Sequence, residues 1–376
     1  MKKAVCISCT HHYTERLAPA EALFRREGYD CIYITSDFNH NTKEHYRVTN
    51  LPHCIQIPTK PYRKNISLGR ILSHIRFARD TFKKVTELKP DLIYVEVPPN
   101  SLCREAARYK KKHPDTKLIL VIFDMWPESF PNSRAKQLLA LPFRVWSWFR
   151  NWGLPKADAV VTECDLFRSR LEKQLKNIPG QTLYLCRPGA TTDGVKPVSA
   201  QKEIHLCYLG SINNIIDIPT ISALIGHIQK LRPVVLHIIG EGETREAFIA
   251  AVKQTGARVE FHGKIYDAAQ KQAIFDACSF GLNIMKESVF IGLTMKSVDY
   301  FAGGLPIINT IAGDTRTLVE TRGIGVNVDR DALDKTAARI VAVSQEENLQ
   351  MRRSTLQCFE ELFEEASFQQ KLLALL

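Results

Sequence analysis

Short, continuously apolar runs alternate with amphipathic helical segments along nearly the whole chain, and this alternation limits the possible folds more than any other feature. The run from Lys117 to Phe123 has the length of a buried strand, whereas the segment from Leu68 to Leu88 repeats apolar residues at helical spacings. Strands that lack a polar face are typical of parallel sheets that helices cover on both sides. The sequence therefore predicts a doubly wound α/β fold.

The predicted strands fall into two groups separated by a segment without periodicity. That segment runs from Arg187 to Ser199 and contains several Pro, Gly and Thr residues, which indicates a linker. A chain of 376 residues also exceeds the size at which a single core usually stops growing. The predicted strands are Lys3 to Ser8, Asp30 to Thr35, Asp91 to Val97, Lys117 to Phe123, Ala157 to Thr162, Thr182 to Leu185, Ile204 to Leu209, Val234 to Ile239, Arg258 to Phe261, Phe280 to Met285 and Pro306 to Asn309.

Two doubly wound, Rossmann-like domains that face a cleft are therefore expected. The first covers residues 1–188 and the second residues 200–355, and a helix at about 360–376 is predicted to pack back on the first domain. In open parallel sheets, ligands bind beyond the carboxyl ends of the strands, where helix N-termini attract phosphates. A nucleotide-bearing substrate is the expectation from this architecture.

The excess of positive over negative charge lies entirely in the first half of the chain. Residues 1–190 hold 32 Lys and Arg against 18 Asp and Glu, whereas the whole chain has a net charge of +11. Such asymmetry indicates an acidic partner, either nucleic acid or an anionic membrane surface. No nucleic-acid module is recognisable, and Lys110 to Lys112 together with the aromatic segment from Pro142 to Trp152 favour membrane docking.

The same features predict where the protein acts. No apolar run approaches the length of a membrane span, and the start of the chain lacks the apolar core of a secretory signal. The ten cysteines are scattered, which favours reduced core residues over a disulfide framework. We expect a cytoplasmic protein, peripheral at the inner face of the membrane.

Two glycine motifs in the second half have the chemistry of a phosphate site. Gly240-Glu241-Gly242 follows an apolar strand and is expected either to approach a ligand or to form a tight turn. The string from Gly292 to Pro306 opens a helix that carries Lys296 and Asp299 at positions i and i+3. The lysine can neutralise a diphosphate and the carboxylate can accept from ribose hydroxyls, although an exposed ion pair on a capped helix has the same spacing.

These motifs resemble those of the retaining, GT-B-fold glycosyltransferases of family four, particularly bacterial enzymes of capsule and exopolysaccharide assembly. The similarity spans nearly the whole chain and is most specific between Cys207 and Val328. The matching elements are Tyr208-Leu209-Gly210-Ser211, Gly240-Glu241-Gly242, Phe261-His262-Gly263-Lys264-Ile265, Lys296-x-x-Asp299-Tyr300-x-x-x-Gly304-x-Pro306 and Asp124-Met125-Trp126-Pro127-Glu128. The resemblance implies transfer of a sugar, with retention of its anomeric configuration, from a nucleoside diphosphate to a lipid-linked saccharide acceptor in cell-surface polysaccharide assembly.

The chain departs from the family pattern at several positions that contact the donor. Ile291 stands where many members have a glutamate that contacts the sugar, and Glu287 is the nearest acidic residue before it. Ser211 and Ile216 replace an arginine and a lysine, and Phe123 replaces a histidine. Diphosphate binding is therefore assigned to Lys296, the backbone at Gly292, Leu293 and Thr294, Lys264 and Lys286.

The remaining roles follow from position in the motifs. Asp299 is assigned to the ribose, Glu287 to the donor sugar, and Asp124 to the acceptor or the sugar, with capping of the next segment as its alternative. His11, His12, Trp126 and Glu128 are the predicted acceptor contacts. No cofactor is expected, because the nucleotide sugar is a substrate, and no metal is expected to bridge the phosphates.

Two other kinds of protein remain compatible with the sequence. A catalytically silent, glycosyltransferase-like binding subunit would explain the missing glutamate and arginine, because the site rather than the fold decides activity. A sugar-nucleotide epimerase or dehydrogenase would share the architecture, but no G-x-G-x-x-G opens the first strand. Release of nucleoside diphosphate that depends on the donor would separate these alternatives.

Overall fold

The computed structural model describes residues 1–9, 14–49, 51, 53–130, 138–198 and 202–376. The chain forms two compact units. The first contains Met1–Tyr184 together with Phe368–Leu376, and the second contains Leu185–Ser367. The chain thus leaves the first unit once and supplies its last nine residues to it again.

The first unit is built on a six-stranded parallel sheet with the order β3-β2-β1-β4-β5-β6. Its register pairs Val5 with Ile32 on one side and with Ile93 on the other. The strands are β1 (Lys2–Ile7), β2 (Tyr29–Ser36), β3 (Cys54–Ile57), β4 (Leu92–Val97), β5 (Lys117–Ile122) and β6 (Ala159–Thr162). The helices are Thr14–Arg26, Leu68–Leu88, Asn100–Lys112, Ala140–Gly153, Asp165–Arg170, Glu172–Leu175 and the 3-10 turn Leu154–Lys156.

The second unit repeats this plan with the order β12-β11-β10-β7-β8-β9, again parallel throughout. Its strands are β7 (Ile204–Leu209), β8 (Val234–Ile239), β9 (Arg258–Gly263), β10 (Phe280–Asn283), β11 (Ile307–Asn309) and β12 (Gly325–Asn327). Its helices are Ile218–Leu231, Arg245–Lys253, Ala268–Ala277, Met295–Ala302, Asp314–Arg322, Leu333–Ala342 and Gln345–Leu362, and Glu365–Leu373 leads into the segment that belongs to the first unit. The predicted class of two doubly wound domains is confirmed.

The core of each unit lies between its sheet and the flanking helices. In the first unit, every residue of β4 is buried, and the ring of Tyr94 packs edge to face against Phe24 at 5.5 Å. In the second unit, Tyr208 packs in the same way against Phe248 at 5.1 Å. These aromatic pairs fix helices to the sheet because they bury large areas in a specific orientation.

The Ala140–Gly153 helix differs from its predicted amphipathic pattern. A helical wheel of the segment from Pro142 to Trp152 places Trp146 on the apolar face and Arg150 on the polar face, but the structure buries both side chains. Arg150 is 1% exposed because its guanidinium forms two hydrogen bonds with the carboxylate of Glu128, at 3.0 and 2.6 Å. Leu141, Val145 and Trp148 are the large apolar residues of this helix that are more than half exposed.

Candidate functional site

The second sheet has a topological switch point between β7 and β10, since the chain builds the sheet outward from there in both directions. These two strands pair only at Phe280 with Leu206 and at Gly281 with Cys207. Beyond that point the phenol of Tyr300 lies between them. Its oxygen accepts from the Leu209 N–H at 2.7 Å and donates to the Cys207 carbonyl at 3.1 Å. The strand ends are therefore held apart, and such a crevice is where ligands bind in open α/β sheets.

Glycines line the carboxyl ends of the strands beside this crevice. A Cβ on Gly240 would lie 2.0 Å from the Gly210 carbonyl oxygen, and one on Gly242 would lie 2.1 Å from the Ile212 carbonyl oxygen. The N–H of Gly240 donates to the Gly263 carbonyl at 2.7 Å and the N–H of Gly210 donates to the Ile239 carbonyl at 2.9 Å, so these two bonds join three strand ends. The G-x-G segment is therefore a place where backbones approach too closely for any side chain.

The ammonium group of Lys296 is buried beside these glycines. Its ammonium nitrogen is buried, finds no hydrogen-bond partner among the described residues, and lies 4.2 Å from the centre of the Tyr208 ring. Burial lowers the pKa of this lysine to about 8, because the charged form is poorly solvated. Gly210 borders it, since a Cβ there would lie 3.9 Å from the Lys296 Cε. A buried, unpartnered cation beside glycine-rich strand ends is suited to an anion.

The helix that carries Lys296 begins at a well-formed cap. The Thr294 hydroxyl accepts from the Ser297 N–H at 3.2 Å and donates to the Asn283 side-chain oxygen at 2.9 Å. Gly292 is buried and its carbonyl accepts from both the N–H and the hydroxyl of Thr315, at 2.9 and 2.7 Å. Leu293 between them is half-buried. This helix N-terminus is fixed at the carboxyl end of β10, where its dipole favours a negative charge.

Asp299, which is predicted to contact the ribose, forms an ion pair with an arginine. Its Oδ1 accepts from the Nε of Arg187 at 3.0 Å, in an ion pair whose side chains are each about one quarter exposed. Sequence reasoning missed this pair because 112 residues separate its members. The second carboxylate oxygen is not part of this bond, and the assignment of Asp299 to the ribose stays a prediction.

The other predicted donor contacts lie nearer the surface. Glu287 has a side chain that is 80% exposed, with its Oε1 3.5 Å from the Nε of Arg330. Lys286 donates to the Asn214 carbonyl at 2.6 Å. Lys264 and Ser211 are exposed, and Ile265 is half-buried. Their proposed roles are untested by these positions.

The expectation that no metal bridges the phosphates assumed that the chain lacks an Asp-x-Asp element, and that assumption is wrong. Asp329-Arg330-Asp331 has this pattern. In the structure the Oδ1 of Asp329 accepts from the N–H of Asp331 at 3.0 Å, and Arg330 binds the carboxylate of Asp217. The element therefore forms a turn before the Leu333–Ala342 helix, and the side chain of its central arginine binds elsewhere.

The first unit has a cavity at the equivalent place, around its own switch point between β1 and β4. Residues that follow the carboxyl ends of five strands line it, with side chains from the Leu68–Leu88 helix. Arg70 contributes a cation whose Nε has no partner among the described residues. The lining residues are Cys9, Ser36, Phe38, His40, Thr59, Tyr62, Arg70, His74, Pro98, Pro99, Phe123 and Asp124.

The polar groups of this cavity were missed by sequence reasoning, except for Asp124. His40 Nδ1 lies 2.7 Å from the Tyr62 hydroxyl, and burial followed by repulsion from Arg70 lowers the pKa of His40 to about 4. Burial also raises the pKa of Asp124, although its Oδ1 accepts from the Ser129 hydroxyl at 2.8 Å. Helical spacing placed Arg70 on a helix but gave no sign that its side chain reaches the strand ends.

The predicted acceptor residues have different surroundings. Trp126 packs under the guanidinium of Arg70, whose central carbon lies 5.0 Å from the ring centre. Glu128 is tied to the buried Arg150, so its carboxylate has a structural partner in addition to any substrate. His11 and His12 lie outside the described residues. The structure thus brings Asp124 and Trp126 to the neighbourhood of Arg70.

Two doubly wound units, each with polar and cationic groups at its switch point, define the GT-B class of glycosyltransferases. Family comparison agrees with this geometry. Residues 20–194 match the model described as Glycosyltransferase Family 4, and residues 203–346 match the model described as Glycosyl transferases group 1. The chain therefore belongs to the family-four-like glycosyltransferases and carries both of these domains.

Solved structures share this fold over the entire chain. Sucrose-phosphate synthase from Thermosynechococcus elongatus superposes with a TM-score of 0.71 at 14% identity, covering 100% of this chain and 98% of its own. The lipopolysaccharide outer core galactosyltransferase WaaB gives 0.66 at 16% identity, covering 100% and 99%. HepE of Anabaena, solved in complex with UDP, gives 0.66 at 14% identity, covering 100% and 99%. A search among curated proteins finds no match.

Proposed function

We propose that the protein is a retaining, metal-independent hexosyltransferase that moves a sugar from a nucleoside diphosphate to a saccharide acceptor. The buried, unpartnered ammonium of Lys296 carries the proposal. Negative charge grows on the leaving diphosphate as the glycosidic bond breaks, so a fixed cation there stabilises the transition state more than the ground state. HepE, with a related fold, binds UDP, which makes UDP the first probe for this site.

The acceptor is proposed to bind in the first unit and to be linked to a lipid through phosphate, as in cell-surface polysaccharide assembly. Arg70 in the cavity supplies a guanidinium suited to a phosphate, and Asp124 supplies a carboxylate that can hold an acceptor hydroxyl. The aromatic face of Trp126 beside Arg70 suits a sugar ring or the start of a lipid.

The first unit is further proposed to dock on an anionic membrane through an exposed apolar surface. Leu68 and Leu72 on one helix, with Leu141, Val145 and Trp148 on another, are between 52% and 77% exposed. A groove lined by residues from both helical regions, including Ile66 and Pro142, joins them. The first unit also carries exposed basic residues on its helices, namely Arg79, Lys111, Lys112 and Arg144.

Four basic residues that were expected to face the membrane form ion pairs within the protein, namely Arg76, Lys83, Lys84 and Lys110. The ammonium of Lys110, for example, lies 2.7 Å from the Asp158 carboxylate. These residues still contribute to the surface potential, although each already pairs with a carboxylate. None of the helices in the described part of the chain is long and apolar enough to cross a membrane.

The transfer activity is tested by incubating the purified protein with a panel of nucleotide sugars and saccharide acceptors and measuring the release of nucleoside diphosphate. We expect release with one donor, in the presence of EDTA, and NMR of the product should show retention at the anomeric carbon. Lys296→Met should abolish release, whereas Lys335→Met, an exposed lysine of the same unit, should not. Binding of UDP without release from any donor would instead favour the silent binding subunit.

Membrane docking is tested by co-sedimentation with vesicles of anionic or neutral lipid. Binding should require the anionic lipid and fall as salt is raised, because charge near the leaflet supplies about 1 kcal/mol per residue. Trp148→Ser should weaken it, whereas Leu231→Ser, which removes an equally exposed apolar side chain of the second unit, should not. Equal partitioning onto both kinds of vesicle would contradict electrostatic docking.

A further inference from the structure

Three histidines form a row across the first three strands of the second sheet. His205 lies on β7, His237 on β8 and His262 on β9, which is an edge strand. His205 Nδ1 lies 2.9 Å from His237 Nε2, and His237 Nδ1 lies 3.1 Å from His262 Nε2. Glu260 also lies on β9, with its Oε2 3.3 Å from His237 Nδ1. Two imidazoles and a carboxylate therefore converge at one end of the row.

We propose that His237, Glu260 and His262 bind a divalent transition-metal ion of the zinc type. Their ligand atoms all lie within 4.8 Å of one another. In tetrahedral zinc sites, metal-to-ligand distances of about 2.0–2.1 Å place neighbouring ligand atoms about 3.3 Å apart, close to the 3.1 and 3.3 Å observed here. Imidazole with carboxylate is a ligand set that suits zinc rather than magnesium or calcium.

The other end of the row supplies the support that metal-binding histidines require. For Nδ1 of His237 to coordinate a metal, its proton must lie on Nε2, which faces His205 Nδ1 at 2.9 Å. His205 then carries its own proton on Nε2, 3.8 Å from the Glu203 carboxylate, which is beyond hydrogen-bond distance. This arrangement of protons joins His205 to His237 and leaves Nδ1 of His237 free to bind, so that an imidazole supports the metal-binding histidine where many sites use a carboxylate or carbonyl.

Charge and burial are compatible with this ion. His237 is buried, with 6% of its surface exposed. Arg258 bridges Oε1 of Glu260 at 3.0 Å and Oε2 of Glu203 at 3.1 Å, which leaves Oε2 of Glu260 facing the imidazoles. His262 is exposed, so an ion can enter from the sheet edge and keep a water as its remaining ligand.

The site is tested by titrating the full-length protein with Zn²⁺ in a calorimeter and with Co²⁺ in a spectrophotometer, without nucleotide. We expect one bound ion with the visible spectrum of tetrahedral cobalt. His262→Ala and Glu260→Gln should each weaken binding at least about tenfold, and His205→Ala, which removes only the positioning contact, should weaken it about 10–100-fold. His227→Ala, on the Ile218–Leu231 helix, should leave it unchanged.

Cysteines are the alternative zinc ligands in this chain, so the titrations are repeated with Cys9, Cys54 and Cys186, the half-buried thiols, changed to serine. Unchanged affinity in that background supports the histidine site. Absence of zinc binding, a cobalt–thiolate charge-transfer band, or binding that survives His262→Ala and Glu260→Gln overturns it. Because no donor is present, failure here leaves the proposed transfer activity unaffected.

Discussion

The buried ammonium of Lys296 should make nucleotide affinity depend on pH in an unusual range. In the free protein its pKa is about 8, because burial disfavours the charge. A bound diphosphate would supply the missing partner and return this pKa to or above the ordinary lysine value of about 10.4. UDP should therefore bind with uptake of a proton above pH 8 and without uptake well below it.

The size of the effect follows from the two pKa values. Below about pH 7 the lysine is charged in both states, so UDP affinity should be constant with respect to this group. Above its free pKa, each further pH unit should weaken binding about tenfold, giving a dissociation constant about elevenfold higher at pH 9 than at its low-pH limit. The loss should end near the pKa of the complex.

Calorimetry of UDP binding between pH 6.5 and 9.5, in buffers of different ionisation enthalpy, measures both affinity and proton uptake. Lys296→Met is the matched control, because it retains any titration of UDP itself and of other groups. The variant should bind UDP weakly, with its pH dependence reduced to that background. Affinity of the unmodified protein that parallels the variant across this range would refute a diphosphate contact by Lys296.

Further outcomes concern stability. Because folding lowers the pKa of Lys296, the unfolded state binds more protons than the folded state between about pH 8 and 10.4, and the free energy of unfolding should rise with pH in that range. For the same reason, Lys296→Met should raise the free energy of unfolding at pH 7, measured by chemical denaturation, by up to about 3 kcal/mol. Gly240→Ala should destabilise by more than about 2 kcal/mol, because its Cβ would overlap the Gly210 carbonyl, whereas Gly194→Ala meets open space and should change little. Glu128→Ala should lower the free energy of unfolding by about 3 kcal/mol by leaving the buried Arg150 without its carboxylate partner; an unchanged unfolding midpoint would contradict that.

The sequence predicted every interior strand but only two of the four edge strands, β6 and β9. β7 and β8 have the predicted bounds, because strands in the middle of a sheet that helices cover on both sides are apolar on both faces. Cys54–Ile57 and Gly325–Asn327 were missed, and both are edge strands with half-buried residues that make no continuous apolar run. The predicted strand from Thr182 to Leu185 forms only an isolated bridge to Thr162.

Only part of the candidate site could be predicted from the sequence. Local motifs identified Lys296 and the glycines, because helix caps and tight backbone contacts leave a signature within a few neighbouring residues. The partner of Asp299 and the row of histidines depend on how distant segments align. His237 meets His262 only because β8 and β9 pair in one register, and a single sequence does not reveal that register.

The phenol of Tyr300 between β7 and β10 limits which substitutions this protein can accept during evolution. A methyl group on Gly281 would come within 2.8 Å of three atoms of the Tyr300 ring, so neither position can vary alone without disturbing the other. Enlarging Gly281 would push the ring from between β7 and β10 and displace the helix that holds Lys296 one turn earlier. Transplanting this helix into another scaffold to alter donor preference should therefore succeed only when the glycine is transplanted with it.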